Sequence, residues 1–254
     1  MSDVTIIPGC EPMSHAGTRG AGVLVLHGFT GNPSSMRIQA NAFAELGYHV
    51  ELPRLPGHGT SVDDMLTTDW ADWTGEVEAA YQRLAARTDK IVVMGLSMGG
   101  SLTLWTGLQH GDVAGLVLVN PATKAQPDDV VAMLQEMVDD GNTVMPGIGS
   151  DIADPDVTEI AYEGTPLVAL LSLQNDGLAP MAERYGELKM PVLLYTSHND
   201  HVVPPESSEH LAATVGGELD HVWLDRSFHV ATQDYDRDTI TSGAATFVAR
   251  VTGA

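Results

Sequence analysis

The chain has 254 residues, 43% of them hydrophobic and 18% charged. This predicts one ordinary globular domain, long enough to bury a large core and to carry an inserted sub-domain. A formal net charge of -22 excludes a basic surface for nucleic acid and disfavours stable membrane insertion or adsorption to anionic lipid.

The N-terminal stretch MSDVTIIPGCEPMSHAGTRG lacks a basic region followed by a long apolar core, so no secretory signal is expected. No apolar run approaches the roughly 20 residues of a membrane span. The single cysteine, Cys10, excludes a disulfide framework or a CxxC metal site within the chain. Together these predict a soluble, cytoplasmic protein. The acidic field would repel an anionic substrate and favour release of an anionic product. The same charge also serves plain solubility.

Val4 to Ile7 reads as a first edge strand. Gly22 to Leu26 is a continuous apolar run, the pattern of a strand buried on both faces. It ends in the glycine-rich loop His27-Gly28-Phe29-Thr30-Gly31-Asn32-Pro33. Ser34 or Ser35 can cap the following helix, which Gly47 closes. Tyr48 to Leu52 reads as a strand and Pro53 to Gly59 as a loop. Asp69 to Arg87 reads as an amphipathic helix, with Trp70, Trp73, Val77, Ala80, Tyr81 and Leu84 on one side. The apolar run from Ile91 to Met94 is a strand that enters Gly95-Leu96-Ser97-Met98-Gly99, and a helix follows. Gly115 to Asn120 is a further buried strand.

Strands thus alternate with helices, which predicts an α/β fold with a mostly parallel central sheet. The rhythm breaks between Pro121 and Lys189, where no strand is convincing and Val130 to Met137 and Leu167 to Leu171 read as helices. Residues 121–189 therefore read as a helical cap (lid) insertion between core segments 1–120 and 190–254. Its methionines and leucines suit either an adaptable apolar pocket or the contacts that hold the cap down. Strands resume at Pro191 to Thr196 and His221 to Leu224, with helices over Ser207 to Val215 and Asp238 to Thr252.

The pentapeptide G-x-S-x-G is weak evidence alone. Its position between a buried strand and a helix is the setting of a nucleophile elbow. The two glycines let strand and helix approach closely, and Ser97 would stand at the helix N-terminus, where partial positive charge collects. A serine needs a base held in the right tautomer by a carboxylate. The expected chain order is serine, acid, histidine, each in a loop after a later strand. Asp200 and His229 fit. His198 and His201 share the acid's loop, and His221 begins a strand. His27 and His58 precede the serine, and a role in bonding loop backbone is expected for them. Asp225 competes with Asp200 but lies close to His229 in sequence. The N–H groups of Met98 and Phe29 are the expected oxyanion donors. No HExxH, P-loop or Cys/His cluster is present, so no metal and no cofactor are expected. A serine at the elbow argues against chemistry that uses a carboxylate nucleophile.

The segments HGFTGNPSSMR, LPRLPGHGTSVDDM, GLSMGGSLTL, IGSDIADPDVTEIAYEGTP, DHVVPP and FHVATQDYD resemble the α/β-hydrolase superfamily. Within it they are similar to the Bacillus-type bacterial monoacylglycerol lipases and to short-chain carboxylesterases. The resemblance implies the α/β-hydrolase fold and supports Ser97, Asp200 and His229 as triad, with Phe29 and Met98 as oxyanion donors. It also implies that Glu159 hydrogen-bonds a glycerol head group and that Ile148 bounds the alcohol pocket. The implied function is a serine ester hydrolase that cleaves monoacylglycerols, small-molecule lipid esters, through an acyl-enzyme. A broad carboxylesterase and a non-catalytic ligand-binding protein of the same fold are the alternatives. The helix over Gln126 to Gly141 departs from the family pattern, which leaves acyl-chain length open.

Overall fold

The computed structural model describes residues 5–254. Among the described residues seven strands form the main sheet: β1 (Met13–His15), β2 (Gly22–Leu26), β3 (His49–Leu52), β4 (Ile91–Leu96), β5 (Gly115–Val119), β8 (Val192–Ser197) and β9 (Leu219–Leu224). Their spatial order is β1-β3-β2-β4-β5-β8-β9. All neighbours run parallel except β1, which pairs antiparallel with β3. The two remaining strands, β6 (Val144–Pro146) and β7 (Gly164–Pro166), form a separate antiparallel ribbon.

The parallel pairing follows from the connections. Helices α1 (Arg37–Glu45), α3 (Trp70–Ala85) and α4 (Met98–Gln109) link successive core strands; a short α2 (Val62–Met65) precedes α3, α8 (Glu206–Thr214) links β8 to β9, and α9 (Arg237–Thr252) closes the chain. Asp69 starts α3 with a reciprocal cap, its carboxylate taking the N–H of Ala71 and Asp72 while Asp72 takes the N–H of Asp69. Successive sheet residues point to opposite faces. Leu24, Leu26, Val93, Leu116 and Leu118 pack against Trp73, Val77, Leu84 and Leu102 of α3 and α4. Val23, Val25, Val92, Met94, Val117 and Val119 pack against Phe43 of α1 and Ile240, Phe247 and Val248 of α9. This double cover explains why β2, β4 and β5 are buried along their whole length.

Between β5 and β8 lie α5 (Asp128–Asp139), the β6–β7 ribbon and α6 (Leu167–Ser172), which continues through a π-helical turn at Leu173–Leu178 into α7 (Ala179–Met181). This β5–β8 segment has a small apolar cluster of its own: Leu134, Leu167 and Leu171, flanked by Val130, Met137 and Met145.

Two sequence expectations are corrected. The first edge strand is Met13–His15; Thr5 to Ile7 is irregular, and Val4 lies outside the described residues. Register decides this, since Met13, Ser14 and His15 pair with Leu52, Glu51 and Val50. The buried Glu51 carboxylate meets the guanidinium groups of Arg83 at 2.9 Å and Arg87 at 3.0 Å, and the Ser14 hydroxyl also donates to it. The second correction concerns 121–189, where strands do occur: the β6–β7 ribbon. Each strand has three residues and ends or begins with Pro or Gly, so no alternating pattern announces it.

The carboxyl edge of the sheet is shaped by two glycines. A Cβ on Gly99 would lie 2.3 Å from the Leu26 carbonyl oxygen and 2.6 Å from that of His27. A Cβ on Gly95 would lie 2.0 Å from the Gly99 carbonyl oxygen. Strand and helix therefore touch through bare backbone. Gly75, on the exposed side of α3, has nothing within 4 Å. Gly99→Ala is expected to lose at least about 2 kcal/mol of stability, whereas Gly75→Ala gains about 0.5–1 kcal/mol. Urea unfolding of both variants checks this; a Gly99→Ala protein as stable as the parent would refute the packing account.

Candidate active site

Three adjacent strands, β2, β4 and β5, lead into the site. The three non-glycine residues with positive φ among the described residues lie just beyond them: Thr30 at 58°, Ser97 at 56° and Asn120 at 44°. Such backbone is strained by about 1–3 kcal/mol per residue and persists only where the surroundings enforce it. Ser97 is enforced from both sides. Its N–H donates to the Val119 carbonyl at 3.0 Å, and its own carbonyl accepts from Gly100 N–H at 2.8 Å. The turn that results stands its side chain at the N-terminus of α4.

His229 follows β9 and is 6% exposed. Its Nδ1 lies 2.7 Å from Asp200 Oδ2, so Nδ1 carries the proton and Nε2 is the free ring nitrogen. Asp200 follows β8 and is held in turn: its Oδ1 accepts the N–H of Val202 and of Val203, each at 2.8 Å. The competing Asp225 is 86% exposed and faces His198 at 3.5 Å. Ser97 and His229 line one cavity.

The expected oxyanion donors, the N–H groups of Met98 and Phe29, are main-chain groups whose surroundings are set by backbone. Met98 is the first residue of α4, so its N–H has no partner inside the helix. The loop after β2 comes close to the serine, since a Cβ on Gly28 would lie 3.3 Å from Ser97 Cβ. His27 sets the next peptide. Its Nε2 accepts the Leu55 N–H at 3.2 Å, which leaves Nδ1–H to donate to the Gly28 carbonyl at 3.0 Å. In a trans peptide the N–H of Phe29 points opposite to that carbonyl. Burial pushes the His27 ring well below its usual pKa, with the neighbouring His58 adding to the effect, so the donor–acceptor pattern survives changes of pH. His58, its pKa lowered to about 4 by burial, bonds the Pro56 carbonyl at 2.9 Å. Both histidines thus bond loop backbone, as their flanking glycines suggested.

The cavity measures about 690 Å³. Ser97, Met98, Phe29, His229, Glu159 and Ile148 all border it; Asp200 stands behind His229. Its apolar wall comes largely from the β5–β8 segment, through Val130, Met133, Leu134, Met145, Leu170, Leu173 and Leu178. Ile148 keeps 67% of its surface in solvent. Glu159 sits against the loop after β2: its Oε1 is 3.1 Å from where a Cβ on Gly31 would be. The chain around it is pinned there. Asn32 Nδ2 donates to the Ile160 carbonyl, Tyr162 N–H donates to the Thr30 carbonyl at 3.3 Å, and Glu159 N–H donates to Ser150 Oγ at 3.1 Å. Burial raises the Glu159 carboxyl to about 7, against the opposing pull of the nearby His229.

Residues 17–236 match the protein family described as "Serine aminopeptidase, S33". The chain belongs to that family of serine hydrolases. It is 41% identical over 251 residues, 98% of each chain, to the thermostable monoacylglycerol lipase of Bacillus sp. (strain H-257). It is 26% identical over 231 residues, 90% of this chain and 92% of the other, to a carboxylesterase of Bacillus subtilis (strain 168). Among solved structures it superposes with a TM-score of 0.91 on a metagenome-derived lipolytic enzyme, at 40% identity over 97% of this chain and 100% of that one. The α/β-hydrolase fold read from the sequence is the fold of the chain. Among the described residues no helix is long and apolar enough to cross a membrane.

Asn120 is a buried polar residue at the site that no sequence pattern singles out. Asn120 was legible only as the last residue of a buried strand. In the fold its Nδ2 donates to the His229 carbonyl at 2.8 Å and to Ser197 Oγ at 3.0 Å, and its Oδ1 accepts the Ser197 N–H at 2.8 Å. It ties β5, β8 and the turn that carries His229. An amide ending an apolar strand run was the available signal.

The raised Glu159 carboxyl has a consequence for stability. Between pH 4.5 and about 7 the unfolded chain loses this proton while the folded chain keeps it, so this group makes folding less favourable as pH rises through that window. Glu159→Gln removes the effect. The variant is expected to melt higher than the parent at pH 8 and equally at pH 4.5. Thermal unfolding at the two pH values checks this, and an equal shift at both would contradict the raised Glu159 carboxyl.

Proposed function

We propose that this chain is a serine ester hydrolase that cleaves monoacylglycerols to glycerol and fatty acid. The observation that carries the reading is the meeting of three features in one cavity. Ser97 and His229 stand beside a mostly apolar wall, and the carboxyl of Glu159 projects among them. A monoacylglycerol has the matching parts: an ester, an acyl chain and a pair of free hydroxyls. The 41% identity to a monoacylglycerol lipase supports the same reading.

Ser97 Oγ attacks the ester carbonyl as His229 Nε2 takes its proton. Asp200 holds the imidazole and stabilises its charged form. The N–H groups of Phe29 and Met98 receive the oxyanion, each worth about 2.7–4 kcal/mol in comparable sites. The tetrahedral adduct collapses, His229 protonates the leaving glycerol, and the acyl-enzyme remains. Water, deprotonated by the same histidine, then releases the fatty acid and restores Ser97. In this reading 121–189 is the cap, its apolar side chains holding the acyl chain. Glu159 bonds the glycerol hydroxyls, and Ile148 limits the alcohol. A cytoplasmic setting belongs to the proposal; the one cysteine, Cys10, is a buried free thiol.

The high exposure of Ile148 favours a second reading, a carboxylesterase of broad specificity whose alcohol side is left open. One variant separates the two. Glu159→Ala should raise KM for a monoacylglycerol by about tenfold, the scale of a lost charge-assisted hydrogen bond, and KM for a p-nitrophenyl ester by less than twofold. Steady-state kinetics on both substrates decide it; equal effects remove the head-group role.

A further inference from the structure

The β5–β8 segment carries a carboxylate that the reaction above does not use. Asp151 lies on the irregular stretch between β6 and β7, three residues past Ile148, and its side chain is 13% exposed. Its Oδ2 accepts the N–H of His229 at 3.0 Å and the N–H of His201 at 3.2 Å. Its Oδ1 meets His201 Nδ1 at 2.8 Å. Its own carbonyl accepts the N–H of Val230 at 3.1 Å. His201 directly follows Asp200, and Val230 directly follows His229. One residue therefore bonds both turns that hold the acid and the base.

The grip is reciprocal. Asp234, fully buried beyond His229, accepts the N–H of Ala153 at 2.7 Å and of Asp154 at 3.1 Å. It also accepts the N–H of Phe228 at 2.9 Å. A carboxylate from each side thus holds the other side's backbone. The His201 ring adds an edge-on contact with Phe228, at 4.6 Å between centroids.

We propose that Asp151 is a positioning residue for the hydrolysis. Reaching in from the β5–β8 segment, it fixes the backbone at His229 and joins it to the Asp200 turn, so that the imidazole keeps its place against Ser97. The inference rests on the Ser97, His229 and Asp200 reading given above. Its physical basis is that His229 is otherwise held at two points, the ring by Asp200 and the carbonyl by Asn120. The N–H is the third point. Left without an acceptor in a buried turn, that N–H would draw the backbone toward another partner. A shift of about 1 Å in a catalytic group is enough to lower a rate about a hundredfold.

The test compares D151A and D151N on p-nitrophenyl butyrate, an ester without a glycerol head group. Each variant is assayed well below its own melting temperature, with S97A and H229A as controls. D151A is expected to lose about ten- to a hundredfold in kcat, with KM within about threefold of the parent. The amide oxygen of D151N can take both N–H bonds, so D151N should recover most of the lost kcat. A structural role alone lowers Tm and leaves kcat at low temperature intact. The proposal fails if D151A keeps the parental kcat, or if D151N is as slow as D151A. Should D151A not fold, D151S replaces it: a kcat between those of D151N and H229A upholds the role, and a parental kcat overturns it. Activity in S97A or H229A would instead unseat the triad reading, a separate result.

Discussion

Ser97 occupies a backbone conformation that side-chain-bearing residues rarely adopt, and the neighbouring structure is arranged around keeping it there. Gly95 and Gly99 leave no room for a Cβ between β4, α4 and the end of β2. That contact places three things at once. The hydroxyl stands at the N-terminus of α4, the first N–H groups of α4 have no partner inside the helix, and the loop after β2 passes so close that a Cβ on Gly28 would lie 3.3 Å from Ser97 Cβ. The N–H groups of Phe29 and Met98, the proposed oxyanion donors, are therefore placed by the same close approach that strains the serine. Their geometry owes nothing to the side chains of Phe29 and Met98, which are free to shape the cavity wall.

The second organising element is a set of buried polar side chains that satisfy backbone at the carboxyl edge. His27 bonds the Gly28 carbonyl, Asn120 the His229 carbonyl, Asp200 the N–H groups of Val202 and Val203, and Asp234 those of Phe228, Ala153 and Asp154. Loops at the end of a sheet must find partners for their buried backbone groups. Here the partners come from neighbouring loops, so satisfying one loop positions the next. The β5–β8 segment is drawn into this network at 151–154, near the residues proposed to meet the head group. Its outer part, with Met133 and Val144 exposed, is held mainly by its own small apolar cluster.

Most of the fold was legible because the core strands are buried on both faces. GVLVL, IVVMGL and GLVLV admit few readings, and their alternation with helices implies a parallel sheet. The edge was less legible. Met13–His15 has no apolar pattern and is a strand only because Leu52, Glu51 and Val50 lie opposite. The β6–β7 ribbon joins residues about twenty apart through three-residue strands ending in Pro, which no local window detects. At the site, Ser97, Asp200 and His229 could be singled out because the chemistry constrains residue type, chain order and loop position together, and the fold places His229 against Asp200 and in one cavity with Ser97. Asn120, Asp151 and Asp234 were not, because an amide or carboxylate that bonds backbone has no sequence spacing of its own. The expectation for Glu159 came only from family resemblance; on residue type alone it reads as a solvated surface carboxylate, whereas it stands half-buried against Gly31.

The claim on which the functional account stands is that the cavity recognises a glycerol head group and has room for one acyl chain. The most direct measurement is kcat/KM for a medium-chain monoacylglycerol, the matching diacylglycerol and the matching methyl ester, under identical conditions. The account predicts that the monoacylglycerol exceeds both by at least about tenfold, the worth of one well-placed hydrogen bond. Equal values for the monoacylglycerol and the methyl ester would contradict it. The catalytic geometry would stand, but the enzyme would be a general carboxylesterase, and the Glu159 carboxyl would have no part in choosing the substrate.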